Sequence, residues 1–261
     1  EGPMARNVAD AAMLLDVMAG YDSRDPMSLD NPAESFEEAT AQQRVPPRIA
    51  FSPDLGVTPV DPEVAQICEQ AAKRFEELGA HVEEAHPDFS GLQEVFQVHR
   101  ALSYGTSLGP ELEANREVFK PEIVWNVEKG LGLTGQEIMD AMVARSEIYQ
   151  RANKFFSTYD LVLTPSTVVP PYPVEQRFVE HVGDHEFSNY IEWCSIAYAF
   201  TVIGAPAISI PCGFTQSGLP VGLQIAAPAR REARLLSAAC ALENLLRLSD
   251  QLPIDPRAPD S

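Results

Sequence analysis

The chain has 261 residues, 45% of them hydrophobic and 22% charged, enough to bury a sizeable core as one large domain or two ordinary ones. Its 38 acidic residues against 19 basic ones give a formal charge of −19, a surface that repels phosphate backbones and anionic lipid, so no nucleic-acid partner is expected. Four widely spaced cysteines form neither a C-x-x-C pair nor a short secreted framework, which predicts reduced thiols in a cytoplasmic protein.

The sequence opens "EGPMARNVADAA", with no basic, apolar or small-residue signal pattern and no starting methionine. It enters a helix abruptly, which raises the expectation of a piece cut from something longer. Asn7 can cap that helix, and Val8, Ala11, Ala12, Leu15 and Met18 form its apolar stripe before Gly20. The next stretch, through "VPP" at 45–47, is rich in Asp, Ser and Pro without steady periodicity and predicts a surface loop. "RIAFSPDLG" then predicts a strand. Asp61 and Pro62 open a helix with Val64, Ile67, Cys68, Ala71, Phe75 and Leu78 on its buried side, and "AHVEEAH" gives the next strand. Such a strand–helix–strand unit crosses over into a parallel sheet, so the fold class is α/β.

Residues 91–157 predict helices broken near Gly105, Gly109 and the 130–135 stretch. In "YDLVLTPSTVVPP", Leu161, Val162 and Leu163 make the continuous apolar run of a central strand buried on both faces. "AISIP" and "VGLQIA" repeat that pattern around the "CGFTQSGLP" turn, and Glu232 to Leu246 predicts a closing helix. The run from Cys194 to Ala229 lacks Asp, Glu, Lys and Arg and is long enough to span a bilayer. Pro206, Pro211, Pro220 and Pro228 would break such a helix repeatedly, so buried strands are expected and a membrane is not.

Cys212, between Pro211 and Gly213, could be sharply presented, but no histidine has a local motif that couples a base to it. A structural thiol is expected. His181 and His185 have the spacing of two ligands on one helix face, yet Gly183 weakens that helix and no third ligand is identifiable, so surface histidines are expected and no metal. Ser52-Pro53-Asp54 and Thr164-Pro165-Ser166-Thr167 each follow a predicted strand, where α/β sheets place ligand-binding loops. Their hydroxyls serve either as turn caps or as ligand contacts. Tyr190, Trp193 and Tyr198 could line an apolar pocket, but aromatics near a core usually belong to the core. No Gly-rich phosphate loop, G-x-S-x-G elbow or paired-carboxylate motif is present.

Three stretches in order, "GPMARNVADAAMLLDVMAGYDSRDP", "YDLVLTPSTVVPP" and "GAPAISIPCGFTQSGLPVGLQIAAPARREARLLSAACALE", resemble the amidase signature family over nearly the whole chain. The resemblance implies an α/β/α sandwich with a mixed β-sheet, of which residues 1–261 are the C-terminal part of a single amidase-type domain. It implies hydrolysis of carboxylic amide C–N bonds by acyl transfer to a serine, with a bridging serine, a lysine base and no cofactor. The family carries that machinery ahead of the "GPMAR" stretch, where this sequence has nothing to match. The chain alone is therefore expected to be inactive, its partners being a small-molecule amide, the N-terminal part of the same amidase, or a second copy in a homodimer. Thr164, Pro165, Ser166, Thr167, Trp193 and Tyr198 are the expected substrate contacts. One departure stands out: many members have "FNLTG" where this chain has "FTVIG", with Thr201 and Ile203. "YIEW" at 190–193 and the acidic charge favour a stand-alone amidase over a tRNA-linked subunit. The rival readings are a non-enzymatic scaffold, such as part of the A-type subunit of a glutamine-dependent amidotransferase, and a thiol enzyme using Cys212.

Overall fold

The computed structural model describes residues 2–30 and 32–248. β1 (Arg48–Phe51) and β2 (His81–Glu84) pair in parallel through the predicted crossover, α3 (Pro62–Lys73), which a 3-10 turn over Arg74–Leu78 extends to Gly79. β3 (Leu161–Pro165) adds in parallel to β1. The hairpin of β6 (Ala207–Phe214) and β7 (Pro220–Ala226) then joins antiparallel, so the mixed sheet runs β2-β1-β3-β7-β6. A separate two-strand ribbon pairs β4 (His181–Val182) with β5 (His185–Glu186).

Strand alternation divides the sheet into two apolar faces. Ile49, Phe51, Leu161, Leu163, Leu223 and Ile225 meet α1 (Val8–Met18), α2 (Phe36–Gln42), α3 and α8 (Glu232–Leu246) on one side. On the other, Ala50, Val162 and Ala226 meet α4 (Leu92–Asn115), α6 (Gly135–Phe156) and α7 (Ser195–Val202). The result is the expected three-layer α/β/α arrangement. Among the described residues, no helix is long and apolar enough to cross a membrane.

Helix ends on the first face cap one another. Asn7 accepts from the Asp10 amide at 2.7 Å, as predicted, and the Glu243 carboxylate of α8 takes the Val8 amide at 3.0 Å. Asp16 of α1 accepts from the Phe36 and Glu37 amides and the Ser35 hydroxyl, satisfying the first turn of α2. Burial pushes the Asp16 carboxyl up, but those three hydrogen bonds outweigh it and hold it below the usual aspartate range.

Three expectations need correction. The surface loop contains α2, a seven-residue helix whose short inward side of Phe36, Ala39 and Thr40 is too brief to show a period. Met18, assigned to the buried stripe of α1, is 52% exposed, because the inward stripe passes from Leu15 to Ala19, which pack against the core. The break predicted near Gly105 and Gly109 does not occur, since α4 runs on through both and through Pro110 to Asn115. Gly105 instead lets α5 (Pro121–Leu131) lie against α4: a Cβ on Gly130 would stand 1.9 Å from the Ala101 carbonyl oxygen and 3.0 Å from the Gly105 nitrogen. The break near 132 is real, and Thr134 with Glu137 starts α6 through a capping box.

Replacing Asp16 by Asn is expected to cost about 1 kcal/mol at pH 7 in urea unfolding. The stabilisation from a lowered folded-state pKa is present above the ordinary aspartate range and fades as pH falls through the folded value, so the gap between Asp16→Asn and wild type should close in acid. Gly130→Ala should be more damaging, about 3 kcal/mol or more, because backbone rather than a movable side chain occupies the methyl's place. A thermal melt within a degree of wild type would contradict that close approach.

Candidate functional site

The C-terminal end of β3 emerges on the face covered by α7, and there the sheet turns polar. Thr164, Gln224 and Ser209 lie side by side across β3, β7 and β6 in the ladder register. The Gln224 side chain donates to the Ile196 carbonyl oxygen at 3.0 Å and so pins the first turn of α7 over the sheet. One step along, the Ser166 and Ser209 hydroxyls are 2.6 Å apart, and the Ser166 amide donates to the Gly222 carbonyl oxygen. Gly222 lies under this pair: a Cβ would stand 2.9 Å from Ser209 Oγ and 3.0 Å from Ser166 Oγ. One hydroxyl of a bonded pair keeps a free proton and both keep lone pairs, so this solvent-reached patch can hydrogen-bond an amide through either its N–H or its carbonyl.

Behind the patch lie hydroxyls that meet no partner among the described residues. Thr164 and Ser195 are both fully buried, and neither Oγ finds a donor or acceptor. The Tyr198 ring stacks on Phe96 with centroids 3.6 Å apart, while its buried hydroxyl is likewise unpartnered. Burial, reinforced by the nearby Cys194, Glu192 and Glu94, pushes that phenol above the usual tyrosine range. An unsatisfied buried hydroxyl carries a desolvation cost of about 1–3 kcal/mol, which makes three on neighbouring elements unusual.

The residues singled out from the sequence divide between two roles. Thr164 and Ser166 join the polar row; Pro165 points to the opposite face and ends the strand. Thr167 takes the local role of a turn cap, donating to the Val169 carbonyl oxygen at 2.7 Å. Trp193 is half-buried, donates its indole N–H to the Tyr190 carbonyl oxygen and meets Tyr172 edge-on. The Gln224 bond joins the β3 end to the Trp193–Tyr198 segment. Ser52 and Asp54 cap their own turn by accepting from the Leu55 and Gly56 amides. Ser209, Gly222, Gln224 and Ser195 escaped notice, although alternation along "AISIP" and "VGLQIA" marks the first three as one face once the register is known.

Cys212 is buried with its sulfur 3.8 Å from that of Cys68, and that neighbour together with burial pushes the Cys68 thiol upward. Among the described residues no imidazole hydrogen-bonds either thiol. His181 and His185 sit on the β4–β5 ribbon, turned by Gly183 at φ 55°, rather than on a helix. Among the described residues no three His, Cys, Asp or Glu side chains converge on a metal position.

Comparison with known proteins places this geometry. The model of the family described as Amidase matches residues 1–236. An acylamidase of Rhodococcus erythropolis is 33% identical over 97% of this chain and 54% of its own length. A glutamyl-tRNA(Gln) amidotransferase subunit from Moorella thermoacetica is 30% identical over 93% of the chain and 53% of its own. The crystal structure of a bacterial aryl acylamidase of the amidase signature enzymes superposes with a TM-score of 0.84 at 26% identity, covering 96% of this chain and 53% of that one. The chain thus spans about half the length of the relatives it matches. With a family model over most of its residues and the same three-layer architecture in solved relatives, the chain belongs to the amidase signature family.

Proposed function

We propose that these residues form the sheet, covering helices and pocket walls of an amide hydrolase whose acyl-accepting serine lies on polypeptide ahead of residue 1. The observation that carries this reading is the lopsided match, 97% of the chain against 54% of the acylamidase. Several features support it. The resemblance implies serines and a lysine ahead of the "GPMAR" stretch, and no stretch of this sequence matches them. Among the described residues no lysine ammonium hydrogen-bonds a serine; Lys73 bonds Glu69, and Lys129 lies 5.1 Å from the Trp125 ring. Met13, Val17 and Met18 of α1, with Met27 beyond it, leave an apolar surface that a preceding segment would cover.

In such an enzyme the upstream serine Oγ attacks the amide carbonyl, the tetrahedral intermediate expels the amine as it gains a proton, and water then hydrolyses the serine ester. This chain's share is placement. Thr164 and the Ser166–Ser209 pair hydrogen-bond the amide from the sheet, and the Trp193–Tyr198 segment closes the pocket's apolar side. Burial of the unpartnered Thr164 hydroxyl makes sense where a substrate group completes it. A small-molecule amide and the N-terminal part of the same amidase are the partners this reading requires.

The 261-residue chain assayed alone on aliphatic and aryl amides should show no turnover above background; activity that stays with the protein through purification would overturn the proposal. Thr164→Val should leave stability unchanged or raise it, by up to about 1–3 kcal/mol, because it removes an unpaired buried hydroxyl. A clear loss in urea unfolding would mean that the hydroxyl is already satisfied in the folded chain and is not waiting for a ligand.

A further inference from the structure

Between α4, α5 and the Tyr190 segment lies a cluster rich in hydrogen-bond donors, in which Asn126 Oδ1 is a buried acceptor without a partner among the described residues. The Arg100 guanidinium donates through Nε and Nη2 to the Tyr190 hydroxyl, at 3.3 and 3.1 Å, and through Nη2 to the Tyr104 hydroxyl at 3.0 Å. The Asn126 side-chain amide donates to the same Tyr190 oxygen. That phenol therefore receives three N–H groups, and its own proton finds no acceptor among the described residues. Arg100 Nη1 makes no hydrogen bond there either. A phenol oxygen already crowded by donors must send its proton outward, toward an acceptor.

The positive charge is also uncompensated. No carboxylate among the described residues comes within ion-pair distance of Arg100, and the acids on the adjoining segments are occupied elsewhere: Glu122 holds Arg177 at 2.6 Å, and Glu192 takes the Ser188 amide at 2.7 Å. The Cys194 thiol is no substitute, since burial pushes it up to about 11 against the pull of Arg100. Turning the Asn126 amide over would offer Tyr190 a neutral acceptor, at the loss of the bond to the Glu122 carbonyl oxygen, and would leave the charge as it is. In a chain of net charge −19, a half-buried arginine without an acid partner is conspicuous. The cluster is walled by rings. The Tyr104 and Tyr190 centroids lie 4.6 and 5.8 Å from the guanidinium carbon, and Trp125 stands edge-on to Tyr190 at 6.1 Å while remaining 39% exposed. Trp125 thus gives the cluster an edge that faces solvent.

We propose that Arg100, with the outward proton of Tyr190, receives a carboxylate carried on an aromatic body, the ring of that ligand lying against Trp125 and Tyr190. The planar fork of a guanidinium matches a carboxylate, and the surrounding rings match an aryl group and exclude water from the pair. The cluster connects to the polar row: Phe96 lies 5.9 Å from the Arg100 guanidinium and stacks on Tyr198 of α7, the helix that Gln224 pins to the sheet. Resting on the amidase reading, this makes the substrate an amide that bears a carboxylate away from the bond to be cut.

The two tryptophans, Trp125 beside Tyr190 and Trp193 bonded to the Tyr190 carbonyl oxygen, report the site directly by fluorescence. Titration of the purified chain with benzoate should give a saturable change, with a dissociation constant at least tenfold below that for benzamide, its neutral counterpart. Arg100→Gln should weaken benzoate at least tenfold and leave benzamide unchanged. Equal affinities for the two ligands in wild type, no saturable response to benzoate, or an unaltered benzoate constant in folded Arg100→Gln would each overturn the proposal. The wild-type comparison decides even where the variant does not fold. Benzoate has no amide bond to cut and its binding is read without turnover, so failure here leaves the amidase reading standing, and failure of the amide assay leaves this binding result standing.

Discussion

The structure depends on β3. Five residues, Leu161 to Pro165, are buried on both faces, and their backbone pairs parallel with β1 on one side and antiparallel with β7 on the other. That strand joins the crossover unit near the start of the chain to the hairpin near its end, and its alternating side chains contribute to both cores. Leu161 and Leu163 pack under α3 and α8, while Val162 packs under α4, α6 and α7. Fully apolar on both sides for three residues, the strand then changes character at Thr164, still within the ladder. The candidate site begins where the central strand stops serving the core.

The position of the change follows from the geometry of a mixed sheet. Parallel strands deliver their C-terminal ends to one edge of the sheet, where loops are free to carry polar groups. The antiparallel hairpin passes that edge as continuous strand and can contribute only side chains that alternate onto the right face. Ser209 and Gln224 do so, and Gly222 contributes by having none. α7 completes the enclosure through one side-chain bond, so the hydroxyls of Thr164 and Ser195 are covered without being paired.

Much of this was legible in the sequence. The apolar run of β3, the Asp61-Pro62 start of α3 and the stripe of α8 carry local signals strong enough to fix element and orientation, and the parallel pairing of β1 with β2 follows from the handedness of the crossover. Other features were hidden for physical reasons. Phe36–Gln42 is too short to show periodicity, and a glycine that admits a neighbouring helix looks, in sequence, like one that ends its own. Within the candidate site, Thr164 and Ser166 were singled out because they lie at the end of a strand. Ser209 and Gln224 could not, since only the long-range register brings them alongside. Arg100 gave no signal, because a cluster of donors is a property of three elements brought together.

The bond between Glu243 and the Val8 amide joins helices 235 positions apart, the last described helix of the chain and its first. It closes a loop of 235 positions between the two helices. Loop-closure entropy grows only logarithmically with length, so closing so large a loop costs little more than closing a small one. Until α8 docks, the first turn of α1 lacks this cap. Loosening of either helix therefore loosens the other, and α1 and α8 share a common stability rather than unravelling separately.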